Sequence, residues 1–331
     1  MAKQIKNLII PLIGIMVMVL VVPLTFSATA ESSTVDLTLS FTNLANPGDD
    51  HYEGWLIVDG EAIGTGKFTL DSAGKLVDLE GKAITSFKVE NIDLDLTTLF
   101  VLTLEPQGDT DPAPSLVKPL VGTITNGVAT LNPNLGVELT NVAGKYILAT
   151  PSNGADTNEL SGIWWLSLES GSPAVGLTLP NLNETSWVYE GWVLFGDKAV
   201  STGKFNMSSE FDSFDGYSSV QGYPPFPGED FLVNAPSGLT FPGDLSGETA
   251  VITIEPRDDN SADPFQFKIL SHEIPATAVD HTTYTMTDTT DSLASGSATV
   301  TKSAASPFIG SFELVLVLIS IPIIGIIKRK T

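Results

Sequence analysis

Two glutamates occupy equivalent places in a repeated motif. "YEGW" spans Tyr52–Trp55 and again Tyr189–Trp192, and each copy is followed ten residues later by "TGKF". A carboxylate beside an aromatic ring could grip a sugar or a cation, and a pair of carboxylates could hydrolyse a glycosidic bond. Hydrolysis requires both acids in one cleft, about 5 to 10 Å apart. On a strand, Glu53 shares a face with Trp55, and Glu190 with Trp192, while Tyr52 and Tyr189 face the other way. The plain alternative pairs Glu53 with Lys67 and Glu190 with Lys204, the lysines of "TGKF" on neighbouring strands.

Other polar residues also recur. Glu105 and Glu255 each precede a proline at a strand end, a register or turn device. The acidic turns that follow carry Asp109 and Asp111 in one copy and Asp258, Asp259 and Asp263 in the other. Calcium takes several oxygen ligands from such turns, although neither has EF-hand spacing. The chain has three histidines, His51, His272 and His281, and no cysteine. That excludes thiolate catalysis, disulfides and Cys-ligated zinc, and neither HExxH nor GxSxG occurs. The expectation is a non-enzymatic protein without a catalytic residue or cofactor, calcium being the one candidate metal.

The elements that position these residues read as strands. Val35, Leu37, Leu39 and Phe41 alternate with polar residues, and "WLIVDGEAI" and "WVLFGDKAV" each read as two strands around a tight turn. Leu37–Leu39 matches Leu177–Leu179, the two motifs recur at an offset of 137, and "VLTLEP" matches "VITIEP" at an offset of 150. We therefore expect an all-β chain of two tandem antiparallel β-sandwich domains, over residues 31–160 and 161–280. Trp164, Trp165, Trp187 and the aromatics of the proline-rich insertion Tyr217–Phe231 are candidates for an exposed platform for a glycan or protein partner.

Both ends read as targeting segments. Lys3 and Lys6 precede an apolar run closed by Ala28-Thr29-Ala30, an export signal over residues 1–30, with an uncleaved anchor as the alternative. Residues 308–331 read as a transmembrane helix with a basic tail, Lys328-Arg329-Lys330, kept in the cytoplasm. A cleaved sorting signal would have the same anatomy. Residues 281–307, rich in Thr and Ser, read as a flexible stalk. Without the five basic residues and the one acid of these end segments, 31–307 keeps 11 Lys and Arg against 38 Asp and Glu, a net charge of −27. Nucleic acid is excluded as a partner on that balance.

The order of motifs resembles the extracytoplasmic, C-terminal domain of the RskA family of anti-sigma-K factors. "YE-x-W", then "STG-x-F", then "VT-x-EP" is met by Tyr52, Glu53, Trp55, Thr65, Gly66, Phe68, Thr103, Glu105 and Pro106. The second copy supplies Tyr189, Glu190, Trp192, Ser201, Thr202, Gly203, Phe205, Thr253, Glu255 and Pro256. The resemblance covers most of residues 35–280 and implies that these are fold-signature positions. Unlike that family, this chain has an export signal where the sigma-binding segment would be, so it binds no sigma factor directly. The expectation is a single-pass, membrane-anchored cell-surface protein in binding, envelope structure or sensing. The alternatives are a signalling component acting with a separate membrane partner and, third, a surface hydrolase.

Overall fold

A computed structural model describes residues 33–220 and 224–303. The expected export signal over 1–30 and the expected transmembrane helix over 308–331 lie outside the described residues, and no described helix is long and apolar enough to cross a membrane. The chain is all-β. The first half supplies β1 (Val35–Thr42), β2 (His51–Val58), β3 (Glu61–Leu70), β4 (Leu76–Val77), β5 (Phe87–Val89), β6 (Thr97–Glu105), β7 (Leu120–Thr123), β8 (Val128–Pro133) and β9 (Ala143–Leu148). The second half supplies β10 (Ile163–Trp164), β11 (Leu166–Ser167), β12 (Ala174–Val175), β13 (Leu177–Thr178), β14 (Trp187–Phe195), β15 (Lys198–Phe205) and β16 (Gly228–Glu229). It continues through β17 (Thr249–Pro256), β18 (Phe267–Glu273), β19 (Tyr284–Thr285), β20 (Thr287–Asp288) and β21 (Ser295–Lys302).

Every pairing is antiparallel, and the two halves have the same strand order with one reciprocal substitution. The first sheet runs β4-β3-β2-β6-β7-β8-β21-β1-β5. Its ends approach each other, with the Phe68 and Phe87 rings 5.9 Å apart, so the sheet curls back on itself. The second half runs β15-β14-β17-β18, then β20 and β19, then β9, flanked by β10 and β13, with β16 at the edge. Here β10 and β13 together stand where β1 stands, interrupted by the β11–β12 hairpin. Thus β9, the last strand of the first half, closes the second sheet, and β21, the last of the second, closes the first.

This exchange corrects two expectations. Residues 295–302 belong to no stalk: β21 pairs with β1 over eight residues, from Val35↔Lys302 to Thr42↔Ser295, and with β8 on its other side. Ala298 and Val300 point inward, 0% and 3% exposed. Two apolar side chains among Ser and Thr carry too little periodicity to announce a strand, yet they suffice when each lands in a formed core. Residues 31–160 and 161–280 likewise do not enclose separate sheets, since each sheet borrows a strand from the other half. One continuous core runs through both, from Leu37 and Phe100 to Tyr146, Trp165 and Ile252.

The tryptophans give a third correction. All five are at least 96% buried, so none forms an exposed platform. Trp165 enters the main core, while Trp164 points the other way into a small cluster with Ile147, Ala149 and Leu166. Its indole donates to Asp230 Oδ1 at 2.9 Å.

Candidate functional site: the repeated glutamate motif and the groove between the repeats

The two motifs face each other residue by residue. In the β2–β3 pair the partners are Tyr52↔Phe68, Glu53↔Lys67 and Gly54↔Gly66; in β14–β15 they are Tyr189↔Phe205, Glu190↔Lys204 and Gly191↔Gly203. Thr65 and Thr202 are then skipped, a β-bulge that restores pairing at Trp55↔Gly64 and Trp192↔Ser201. The bulge explains the glycines. Gly66 and Gly203 have φ of 134° and 111°, which disfavour a side chain. The bulged threonine lies over the glycine of "YEGW": a Cβ at Gly54 would stand 2.5 Å from Thr65 Oγ1, and one at Gly191 would strike both Thr202 Oγ1 and Trp165 Nε1. Thr202 accepts the Trp165 indole N–H at 3.1 Å. Gly191→Ala should therefore cost about 3 kcal/mol, from overpacking and loss of that bond. A denaturant titration checks this; a loss under about 0.5 kcal/mol would show that the contact is not tight.

The glutamates are buried in this pairing. Glu53 is 9% exposed and Glu190 7%. Their carboxylates lie 3.8 Å from Lys67 Nζ and 4.0 Å from Lys204 Nζ. Ser201 Oγ also donates to Glu190 Oε1 at 2.5 Å. Burial raises both carboxyl groups above the usual range, offset only in part by Lys67 at Glu53 and by the Ser201 hydroxyl and then Lys204 at Glu190. Glu53 Oε1 and the Trp55 ring both approach Gly64, so glutamate and tryptophan share a face as expected. Each tryptophan is fixed in turn. Trp55 Nε1 donates to Thr103 Oγ1 and Trp192 Nε1 to Thr253 Oγ1, both at 2.9 Å. The sequence marked Thr103 and Thr253 only as members of the recurring "VLTLEP" and "VITIEP" motifs; the bond to the tryptophan gives the reason they recur.

Each lysine also fixes the acidic turn beyond it. Lys67 Nζ donates to the Asp109 carbonyl at 3.2 Å, with the Asp109 carboxylate 3.7 Å away, and Lys204 Nζ donates to the Asp259 carbonyl. Glu105 and Glu255 close the same turns. Glu105 accepts the Ser115 N–H at 3.0 Å, and Glu255 accepts the Phe265 N–H at 2.9 Å and the Thr253 hydroxyl. Burial pushes Glu255 up to about 8. Asp111 accepts the Ala113 N–H, and Asp259 the Ser261 N–H, bonds internal to the turns. Among the described residues no three His, Asp or Glu side chains are placed together as metal ligands.

Between the two repeats lies a groove of about 720 Å³, built from matching segments of both. The first repeat contributes Ala45–Gly48, Asp50 and Tyr52 at the start of β2, Leu104 and Pro106 at the end of β6, and Leu116 and Val117; the second contributes the corresponding Thr185–Trp187 at the start of β14, Pro256–Asp259 at the end of β17, and Asp263–Gln266. Gln266 joins the walls, accepting the Ala45 N–H at 3.0 Å and donating to Tyr52 Oη at 3.2 Å. Arg257 lines the groove, but its guanidinium is engaged with the chain: Nη2 donates to the Trp187 and Leu182 carbonyls at 2.6 and 3.0 Å, and Nη1 to Asn206 Oδ1 at 3.0 Å. Lysine could not make that set of planar bonds. Arg257→Lys should lower stability by about 2 kcal/mol, read by thermal melting, whereas an unchanged melt would show these bonds to be replaceable by solvent.

A third polar cluster was not anticipated. Asp212, Glu229 and Asp230 anchor the proline-rich insertion beside Glu159. Asp212 accepts the Gly228 N–H at 2.8 Å, Asp230 the Ser152 N–H at 2.8 Å, and Glu229 the Tyr217 N–H and the Ser218 hydroxyl. Glu159 takes the Thr150 N–H at 3.0 Å. Burial dominates each shift, pushing Asp212 to about 8 and Glu229 to about 7, with Asp230 also raised.

In comparisons with protein-family models, curated proteins and solved structures, nothing matches this chain.

Proposed function

We propose that the chain is a non-enzymatic, membrane-anchored cell-surface protein whose two interlocked, RskA-like β repeats form a binding ectodomain. The observation that carries this reading is the groove: it is assembled from equivalent turns of both repeats, and the recurring motif residues around it are engaged in holding those turns. Glu53, Glu190, Glu105 and Glu255 fix strands and turns through named partners, which suits a scaffold that presents a surface. The register Val35↔Lys302 supports attachment from one end, since the first and last described strands lie side by side where the chain continues toward 1–30 and 308–331. The RskA-like reading rests on the order of its motifs, and these residues pair across the bulge in the same way in both repeats.

Protease treatment of intact cells tests the location. The ectodomain is expected to be digested from outside, with the C-terminal segment remaining in the membrane fraction. Full protection of the chain in intact cells, with digestion only after lysis, would overturn the reading.

A further inference from the structure

We propose that the groove between the repeats binds a polypeptide segment in which lysine or arginine alternates with apolar side chains. The proposal rests on the surface-binding reading above and names the chemistry of the partner. The floor and walls are apolar: Leu104, Val117, Trp187 and Phe265 line the groove, with prolines 47, 106, 256 and 264 around them. Leu116, at its edge, is 77% exposed, the most exposed large apolar side chain among the described residues. A protein in water gains by covering such a side chain, and a groove of this volume falls within the range of about 300–1,000 Å³ typical of ligand clefts.

Charge selects the occupant. Asp50, Asp258, Asp259 and Asp263 also line the groove, and none of them forms a salt bridge among the described residues. The cation that lines the groove, Arg257, already bonds to main-chain carbonyls and Asn206, and Lys204, on the Asp259 carbonyl, is paired with Glu190, so neither neutralises Asp50, Asp258 or Asp263 or offers itself to an anion. The groove therefore presents apolar surface framed by unneutralised carboxylates. An acidic or purely apolar segment would leave those charges uncompensated, and a second copy of this chain, with a net charge of −23, would repel. A free amine would meet the carboxylates but cover little of a groove contributed by six segments. An alternating basic and apolar segment satisfies both halves of the surface.

The test uses the full-length protein in neutral detergent and three fluorescein-labelled hexapeptides: alternating lysine–leucine, glutamate–leucine and lysine–serine. Fluorescence anisotropy should show saturable binding of the lysine–leucine peptide, with affinity at least ten-fold above either control. The double variant Asp258→Asn, Asp263→Asn should weaken it at least ten-fold, as should Leu116→Ser, while Glu80→Gln with Glu90→Gln, exposed acids outside the groove, should leave it unchanged. Circular dichroism melts keep loss of binding distinct from loss of fold. Equal binding of lysine–leucine and lysine–serine peptides, or equal loss in the two pairs of acid variants, would reduce the effect to diffuse charge and overturn the proposal. So would unchanged binding in Leu116→Ser. Because the measurement uses purified protein, it can fail while the protease experiment succeeds, and the reverse.

Discussion

Val300→Asp should unfold the protein, or lower its stability by about 4 kcal/mol, whereas Thr301→Asn, one residue along, should change it by less than about 0.5 kcal/mol. Val300 is 3% exposed, pairs with Leu37, and donates its N–H to the Gly127 carbonyl at 2.7 Å. Thr301 is on the opposite, solvent-facing side of the same strand. A carboxylate at 300 would lie in the core without a cation, and such burial commonly removes several kcal/mol from a domain stable by only 5–15 kcal/mol. Urea titration of both variants checks the contrast. If residues 295–302 were a solvated stalk, the two substitutions would be equally silent. Truncation before Ser295 should act more severely, because it strips β1 of its β21 partner along eight residues, leaving it only β5 over Val35–Leu37, and strips one edge of β8.

The second large effect is on pH. Asp212 and Glu255 are raised to about 8 and Glu229 to about 7, with Glu53, Glu190 and Asp230 raised as well, in every case chiefly by burial. In the unfolded chain these groups release their protons near pH 4. Between about pH 4 and 8 the folded state therefore holds more protons than the unfolded one. Stability is greatest below the unfolded values and is lost as pH rises through about 7 to 8. A tenfold difference in proton affinity between the two states corresponds to about 1.4 kcal/mol, so the combined slope should amount to several kcal/mol. Self-repulsion in a chain of net charge −23 acts in the same sense. Asp36 and Asp71 are lowered, Asp36 chiefly by Lys88 and Asp71 by backbone N–H groups, and pull the other way, but both are solvent-screened. The urea midpoint should be clearly higher at pH 5 than at pH 8, and Asp212→Asn with Glu255→Gln should flatten the difference. A midpoint that rises with pH would show these carboxylates to be ionised and well solvated in the fold.

Much of this was legible in the sequence. Alternation in Val35–Phe41, tight turns after "WLIV" and "WVLF", and the two repeat offsets were enough for the strands and the duplication, because these signals are local or compare the chain with itself. The pairing of Glu53 with Lys67 was within reach because both lie on one hairpin. The exchange of β9 and β21 was not. Val35 meets Lys302 across almost the whole chain, and nothing in "SGSATVTK" distinguishes it from a linker except Ala298 and Val300 at spacing two. The groove escaped for a similar reason, since its walls are turn residues of both repeats that the duplication equates but does not bring together. Nothing in the sequence singles out Asp212, Glu229 and Asp230 among the chain's many acids. Only the backbone N–H groups that reach them show why carboxylates stand in a buried place.

The reciprocal strand exchange also sets a timetable for the growing chain. β1 is made long before its partner β21, so the first sheet cannot close until residues 295–302 have been made. At roughly 5–20 residues per second, the unpaired edges of β1 and β8 wait on the order of ten seconds or more. The second sheet takes β9 from material already made, but it too waits, for β19 and β20 at residues 284–288, before β9 is joined to β18. Both sheets therefore mature on the stretch 284–302, and the first, whose strands are the older, depends on that stretch, or on a holding factor, to stay out of aggregates until it arrives.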